Sequence, residues 1–448
     1  MKRKILWVLV AVLLVGGLIA YLKSRPEPAD TRYSGAYVLH DGLFVFVAPR
    51  EGRALRFRTM AGESGALWPT GANRFEGGKG WAERGPAYNT FTFEMDASGK
   101  PVALVWEQTG LEPRRASIVK LPEQMATFQS GELTLHGKLV MPATPCPCPS
   151  VVVVHGSESY SAVEHYAEPY IYAANGFATL VYDKRGTGKS TGKYSQNFRV
   201  LAGDVLAAVN WLRDQPGIDA NRVHLAGFSQ GGWIAPLAAA RDANIKSVLI
   251  GYGPMVPVTG EDRWGYVYAL HEKGFGDEAV AQADQINDVI SDIFDLGANR
   301  WNELAAMLDE SRDEPWFAAV KGSDSLLGMV ADSRMPLWMA RTYLWWKHGR
   351  DNPPFIDRLY DPVPTLAALN SPSYWILGGA DSSMPTEWTI EQLEKLQKRG
   401  KPIDYLVYPD ADHGILRFET GKDGSRTIIG YEPDYFRRQI DWLKRTDL

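Results

Sequence analysis

Residues 151–154 are four consecutive valines, and this run constrains the fold more than any other feature of the chain. A strand with one face in water alternates apolar and polar residues. An unbroken β-branched run is therefore a strand covered on both faces, as in a mainly parallel sheet packed between helices. Apolar runs at 178–182, 223–226, 247–250 and 374–377 repeat the signal. Between the second and third of these strands, Leu201, Val205, Ala208, Val209 and Leu212 recur at helical spacing. Such units close as right-handed crossovers. The expected fold class is α/β, with the sheet built from residues 126–253 and 373–448.

The 448 residues exceed what one core usually fills, so further units are expected. Residues 254–372 interrupt the strand–helix alternation and are far too long for a loop, which predicts a helical cap insertion. Its tryptophans, Trp264, Trp301, Trp316, Trp338, Trp345 and Trp346, would serve mainly as the cap's own core. Residues 33–125 alternate instead: Phe44/Phe46, Leu55/Phe57, Phe91/Phe93/Met95 and Val102/Leu104/Trp106, with Asp41-Gly42 and Ser98-Gly99 as turns. This predicts a small all-β domain, a sheet or barrel.

The N-terminus reads Met1-Lys-Arg-Lys followed by an uncharged run from 5 to 22. At about 1.5 Å per residue that run covers most of a bilayer core. Residues 1–22 are expected to be an uncleaved signal anchor that contacts the membrane through residues 5–22, with 23–32 as a tether. The body then lies outside the cytoplasm, on the periplasmic or extracellular face; secretion after cleavage is the alternative. A net charge of -5 with 23% charged residues gives no reason to expect a nucleic-acid partner. Cys146 and Cys148, the only cysteines, make no disulfide framework; they are either two spare thiols in an irregular loop or a local bridge.

The chemistry concentrates at Gly227-Phe-Ser229-Gln-Gly231. A strand runs into it and a small-residue helix follows, so the glycines Gly227 and Gly231 would permit a sharp turn that leaves Ser229 exposed. A serine hydroxyl is a weak nucleophile near neutral pH and needs a base, which in turn needs a group to fix its tautomer. His271 and His348 fall in the cap, whereas His413 follows the apolar strand at 403–408. The acid should end the preceding strand, and 374–377 runs into Gly378-Gly-Ala-Asp381. The expected catalytic set is Ser229, Asp381 and His413. For the oxyanion, one N–H would come from Gln230, the residue after the nucleophile, and another from Ser157 in the loop after residues 151–154.

On these ordered motifs, His155-Gly156, Asp183-Lys-Arg185-Gly-Thr-Gly188-Lys-Ser190, the elbow and the Asp381/His413 pair, the chain resembles the α/β-hydrolase superfamily. Within it, the chain is similar to the serine-aminopeptidase, prolyl-oligopeptidase and bacterial esterase branches. The resemblance implies that the Asp183–Ser190 loop is structural. It is not a phosphate loop, because the first glycine that motif requires is Asp183 here. His155 and His224 are expected to be hydrogen-bonded framework. Glu158, Glu164, Glu261 and Asp262 are expected to be mainly surface carboxylates, any of which would suit a substrate amino group if it faced the site.

The resulting expectation is hydrolysis of a small-molecule ester or short peptide through an acyl-enzyme, without metal or organic cofactor, carboxylic esters being favoured over aminopeptidase- or dipeptidyl-peptidase-like cleavage. A non-catalytic tethered binding protein is the rival from another class. Composition and pattern leave the oligomeric state open.

Overall fold

The computed structural model describes residues 30–50, 52–332, 338, 339, 341, 342, 356–422 and 424–447. The expected anchor at 1–22, most of the tether, and Trp345 and Trp346 lie outside the described residues. Among those described, no helix is long and apolar enough to cross a membrane.

Eight antiparallel strands between Gly35 and Ile118 form a closed barrel, sealed where Gly35–Leu39 pairs with Arg114–Ile118. Phe57, Phe91, Phe93 and Trp106 point inward, whereas Phe44 and Phe46 face outward and pack against the second domain. Phe57 meets Phe91 at 5.0 Å and Trp106 at 5.3 Å, so the interior is a packed core. The barrel rests against the C-terminal part of the chain. Tyr431 donates its backbone N–H to Gly62 (2.9 Å), Trp81 donates to Ile428 (3.2 Å), and Arg58 Nε reaches the Tyr431 hydroxyl (2.9 Å).

The second sheet has eight strands in the order Ile403–Tyr408, Ser373–Gly378, Ile245–Gly251, Ile218–Phe228, Cys148–Val154, Ala178–Tyr182, Leu133–Val140, Glu123–Ser130. Only Leu133–Val140 runs against the others. Helices Phe198–Arg213 and Gly231–Ala239 cover one face, Glu168–Ala174 and Tyr435–Asp447 the other. Helix Phe198–Arg213 starts where the Asn197 side chain accepts from Val200 N–H (3.1 Å), and it buries Phe198, Leu201, Val205, Val209 and Leu212. Each such side chain contributes about 1.5–3 kcal/mol by leaving water. Cys146 and Cys148 are bonded to each other, at the start of strand Cys148–Val154.

Two boundaries differ from those drawn on sequence. Strand Glu123–Ser130 begins before residue 126, because its register with Leu133–Val140 pairs Glu123 with Val140. The cap's own core joins helices Val258–Glu272, Asp277–Asp295, Trp301–Ser311, Pro315–Val320 and Leu326–Asp332. Tyr360, Leu366 and Leu369 instead pack into the main core, so the helical cluster ends before 372. The cap enters the chain between two neighbouring strands, Ile245–Gly251 and Ser373–Gly378, whose adjacency leaves it over the strand ends that carry the site.

Candidate active site

Strand Ile218–Phe228 turns directly into helix Gly231–Ala239, and Ser229 sits at the turn with a φ of 51°. That left-handed conformation is costly for a residue with a side chain and aims the hydroxyl outward. The turn is tight because both flanking glycines let backbones touch. A Cβ on Gly227 would lie 2.5 Å from the Gly231 carbonyl oxygen, and one on Gly231 would lie 2.7 Å from that of Val154. Ser229 N–H is held by the Gly251 carbonyl at 3.1 Å.

The fold brings the three expected residues together. Ser229 Oγ is 3.1 Å from His413 Nε2, and His413 Nδ1 is 2.9 Å from Asp381 Oδ2. With Nδ1–H donating to the carboxylate, Nε2 is left to accept from the serine. Asp381 is buried and its Oδ1 also accepts from the N–H groups of Ser383 (2.8 Å) and Met384 (2.9 Å), which lock its orientation. Burial opposes a charge on the His413 ring, but the Asp381 carboxylate outweighs it and raises the pKa above that of free imidazole. The adjacent Asp412 plays another part. It accepts from Ser382 N–H (2.9 Å) and His413 N–H (2.8 Å) and pairs with Arg426 (2.8 Å), so it holds the loop.

The two expected oxyanion donors belong to segments that flank Ser229: Gln230 follows it in the chain, and the Gly156–Ser157 turn packs beside it. Gln230 opens helix Gly231–Ala239, where N–H groups have no partner within the helix and the dipole favours negative charge. Gly156 packs against Ser229, since a Cβ there would be 3.4 Å from Ser229 Cβ. Its own N–H is directed to the Tyr166 hydroxyl (3.4 Å), which leaves Ser157 N–H as the loop's next donor. Ser157 is exposed, and its carbonyl accepts from the Tyr194 hydroxyl.

Several residues of the site carry no sequence motif. Tyr252 stands edge-on to the His413 ring at 4.9 Å. Trp264, on the first cap helix, meets Trp388 at 5.6 Å and donates its indole N–H to the Asp381 carbonyl (3.3 Å). Among the four weighed carboxylates, Glu158 accepts from Tyr166 (2.6 Å), Asp262 pairs with Arg358 (3.3 Å), and Glu164 lines a cavity of about 710 Å³ beside the barrel that none of Ser229, His413 and Asp381 lines. Glu261 acts on the His413 ring. Burial, opposed by the nearby His413, pushes its pKa up to about 8, with Asp381 among the charges that feel it. His224 is framework as expected, between Ser247 (2.7 Å) and Asp447 (3.3 Å). The buried His155 differs, since its ring nitrogens have no hydrogen-bond partner among the described residues and the ring packs on Tyr182. No metal-ligating cluster occurs among the described residues.

The chain is similar to known proteins. The family model for X-Pro dipeptidyl-peptidase (S15 family) matches residues 131–414, more than half of the chain. An uncharacterized 31.7 kDa protein from the traX-finO intergenic region of Escherichia coli is 24% identical over 308 residues, covering 66% of this chain and 91% of that protein. Acylamino-acid-releasing enzyme 2 of Oryza sativa subsp. japonica is 24% identical over 338 residues, 72% of this chain and 34% of the longer protein's length. The solved esterase of Pyrococcus furiosus superposes with a TM-score of 0.42 at 17% identity, over 73% of this chain and 92% of its own. With its elbow, its strand order and that family match, the chain belongs to the X-Pro dipeptidyl-peptidase (S15) family and is a serine hydrolase of the α/β-hydrolase fold.

Proposed function

We propose that the protein hydrolyses carboxylic esters, with Ser229, His413 and Asp381 as its catalytic triad. The observation that carries this reading is the hydrogen-bonded line from Ser229 through His413 to Asp381. Ser229 Oγ attacks the carbonyl carbon while His413 Nε2 takes its proton, and Asp381 stabilises the imidazolium. The oxyanion is met by the N–H groups of Gln230 and Ser157. Collapse expels the alcohol, protonated by His413, and leaves an acyl group on Ser229. Water, deprotonated by the same imidazole, then releases the acid. A Glu261 carboxyl at about 8 is mostly neutral at pH 7, and the Trp264–Trp388 pair near Asp381 is apolar, which favours an uncharged acyl group over a charged one.

Glu261 also favours a second reading, a peptidase for substrates with a free amino terminus. An ammonium group beside it would restore its charge and gain a desolvated ion pair. Parallel kcat/KM measurements on p-nitrophenyl esters and on aminoacyl and dipeptidyl anilides decide between the two. Relative to each substrate's uncatalysed hydrolysis, esters are expected to show the greater acceleration, and a greater acceleration for anilides with a free amine overturns the ester reading.

We further propose that residues 5–22 anchor the protein in a membrane with its catalytic body outside the cytoplasm. The charged start and uncharged run support this. Removing residues 1–22 should move activity from the membrane fraction to the soluble fraction; activity that stays membrane-bound would place the attachment elsewhere.

A further inference from the structure

Lys184 is buried, at 2% exposure, although it carries an ammonium group. Its three N–H bonds meet three acceptors: the carbonyls of Gly156 (2.5 Å) and Glu158 (3.3 Å), and the side-chain oxygen of Gln230 (3.4 Å). One side chain thereby touches both halves of the oxyanion site. The Gly156 carbonyl and the Ser157 N–H belong to a single planar trans peptide unit and point in opposite directions. Pulling that carbonyl toward Lys184 therefore sets the direction of the Ser157 N–H. The next two carbonyls are pinned as well, that of Ser157 by the Tyr194 hydroxyl and that of Glu158 by Lys184 again.

We propose that Lys184 is a positioning residue for the oxyanion site: its ammonium clamps the Gly156–Glu158 loop to the Gln230 side chain, so that the backbone donors of Ser157 and Gln230 stay aimed at the same point. This rests on the acyl-transfer reading above and adds to it the residue that preorganises the donors. A donor aimed in advance stabilises the transition state without reorganising during the reaction, so its loss falls on kcat more than on substrate binding. The clamp is charged under ordinary conditions. Burial brings the ammonium down to about 8, and the Glu158 carboxylate opposes that fall. The His155 ring and the Tyr194 ring, 5.1 Å away, are the other titratable groups facing it.

The test compares Lys184→Met, which keeps the aliphatic stem and removes every donor, with Lys184→Gln, which restores a neutral amide donor. Each is assayed with p-nitrophenyl acetate and with phenylboronic acid, which forms a tetrahedral adduct on a nucleophilic serine. For Lys184→Met, kcat should fall roughly 10- to 100-fold, less than deletion of an oxyanion donor costs, with KM within about twofold. The boronic acid inhibition constant should rise by the same factor as kcat/KM falls, and Lys184→Gln should lie between the two. A merely structural lysine would lower the melting temperature without linking rate to adduct affinity. A folded Lys184→Met with wild-type kcat and boronate affinity overturns the proposal. Should it fail to fold, wild-type values in Lys184→Gln do the same. A wild-type enzyme that neither turns over ester or anilide nor reacts with a fluorophosphonate at Ser229 rejects the acyl-transfer reading itself, and the clamp with it.

Discussion

The indole N–H of Trp264 donates to the backbone carbonyl of Asp381 over 3.3 Å, so the first cap helix is bonded to the residue whose carboxylate holds the His413 ring. Trp316 occupies a different environment, buried with Phe317, Leu304 and Leu327 in the cap's own core. The two tryptophans should therefore fail differently. Trp264→Ala should reorder esters by acyl chain length, because it opens the wall beside Trp388. Trp316→Ala should cost about 3–5 kcal/mol in the stability of the cap by leaving a cavity. Chain-length series of kcat/KM, with urea melts of each variant, check both; an unchanged ranking in folded Trp264→Ala would make the cap a cover only.

Ser229→Ala should fold and lose nearly all turnover, since alanine meets the same backbone requirement at φ 51° and the covalent step has no substitute. Asp381→Asn should lower kcat by roughly 10⁴-fold by holding the wrong His413 tautomer. Asp412→Asn should instead loosen the loop held by Ser382 and Arg426, at about 1–3 kcal/mol of stability. Kinetics and melts on the three variants separate these outcomes, and a larger kcat loss in Asp412→Asn would reassign the acid.

The strand–turn–helix at Ser229 was readable because its requirements are local: a buried run, two glycines where backbones touch, and a helix directly after. Asp381 and His413 followed because they end consecutive strands. Lys184 was not readable as a clamp. Its contacts, Gly156 and Gln230, are 28 and 46 residues away, and only the packed sheet brings them within reach. The cap shows the same limit. Six tryptophans announced a packed insertion, but periodicity does not say that Trp264 faces Asp381 while Trp316 faces inward. Nor does it show that helix Val363–Ala368 belongs to the main core, since one apolar stripe looks like another until its partner is known.

Asp447 sits between Arg222 Nε (2.8 Å) and His224 Nε2 (3.3 Å), joining the last helix to the strand that leads into the elbow. Burial raises its pKa, but the His224 and Arg222 contacts outweigh burial and bring it down to about 2. A carboxyl depressed in the folded state stabilises the fold above its unfolded pKa, about 3.9, and that contribution disappears as pH falls through about 2. Asp447→Asn should therefore cost up to about 2 kcal/mol at pH 7, and the gap between variant and wild type should close toward pH 2. Urea midpoints across that range test the sign; a constant gap would mean that packing, not charge, is lost.

Glu261 makes the final case, because its carboxyl is close enough to His413 to interact with it electrostatically. His413 must be neutral to accept the serine proton, and its raised pKa places the acid limb of kcat/KM above the pH of a free imidazole. The Asp381 charge causes most of that rise, and Glu261 adds to it. With its own pKa at about 8, Glu261 carries little of its charge near pH 7, so Glu261→Gln should move the limb only slightly to lower pH while leaving the maximal rate on neutral esters within about twofold. On an anilide with a free amino terminus the same variant should lose roughly tenfold or more in kcat/KM, because a buried ammonium would face a neutral amide. Complete pH profiles on one ester and one aminoacyl anilide measure both effects. An anilide loss with no change on the ester would identify Glu261 as an amine anchor and favour the peptidase reading, whereas equal behaviour on both substrates would leave it with influence on His413 alone.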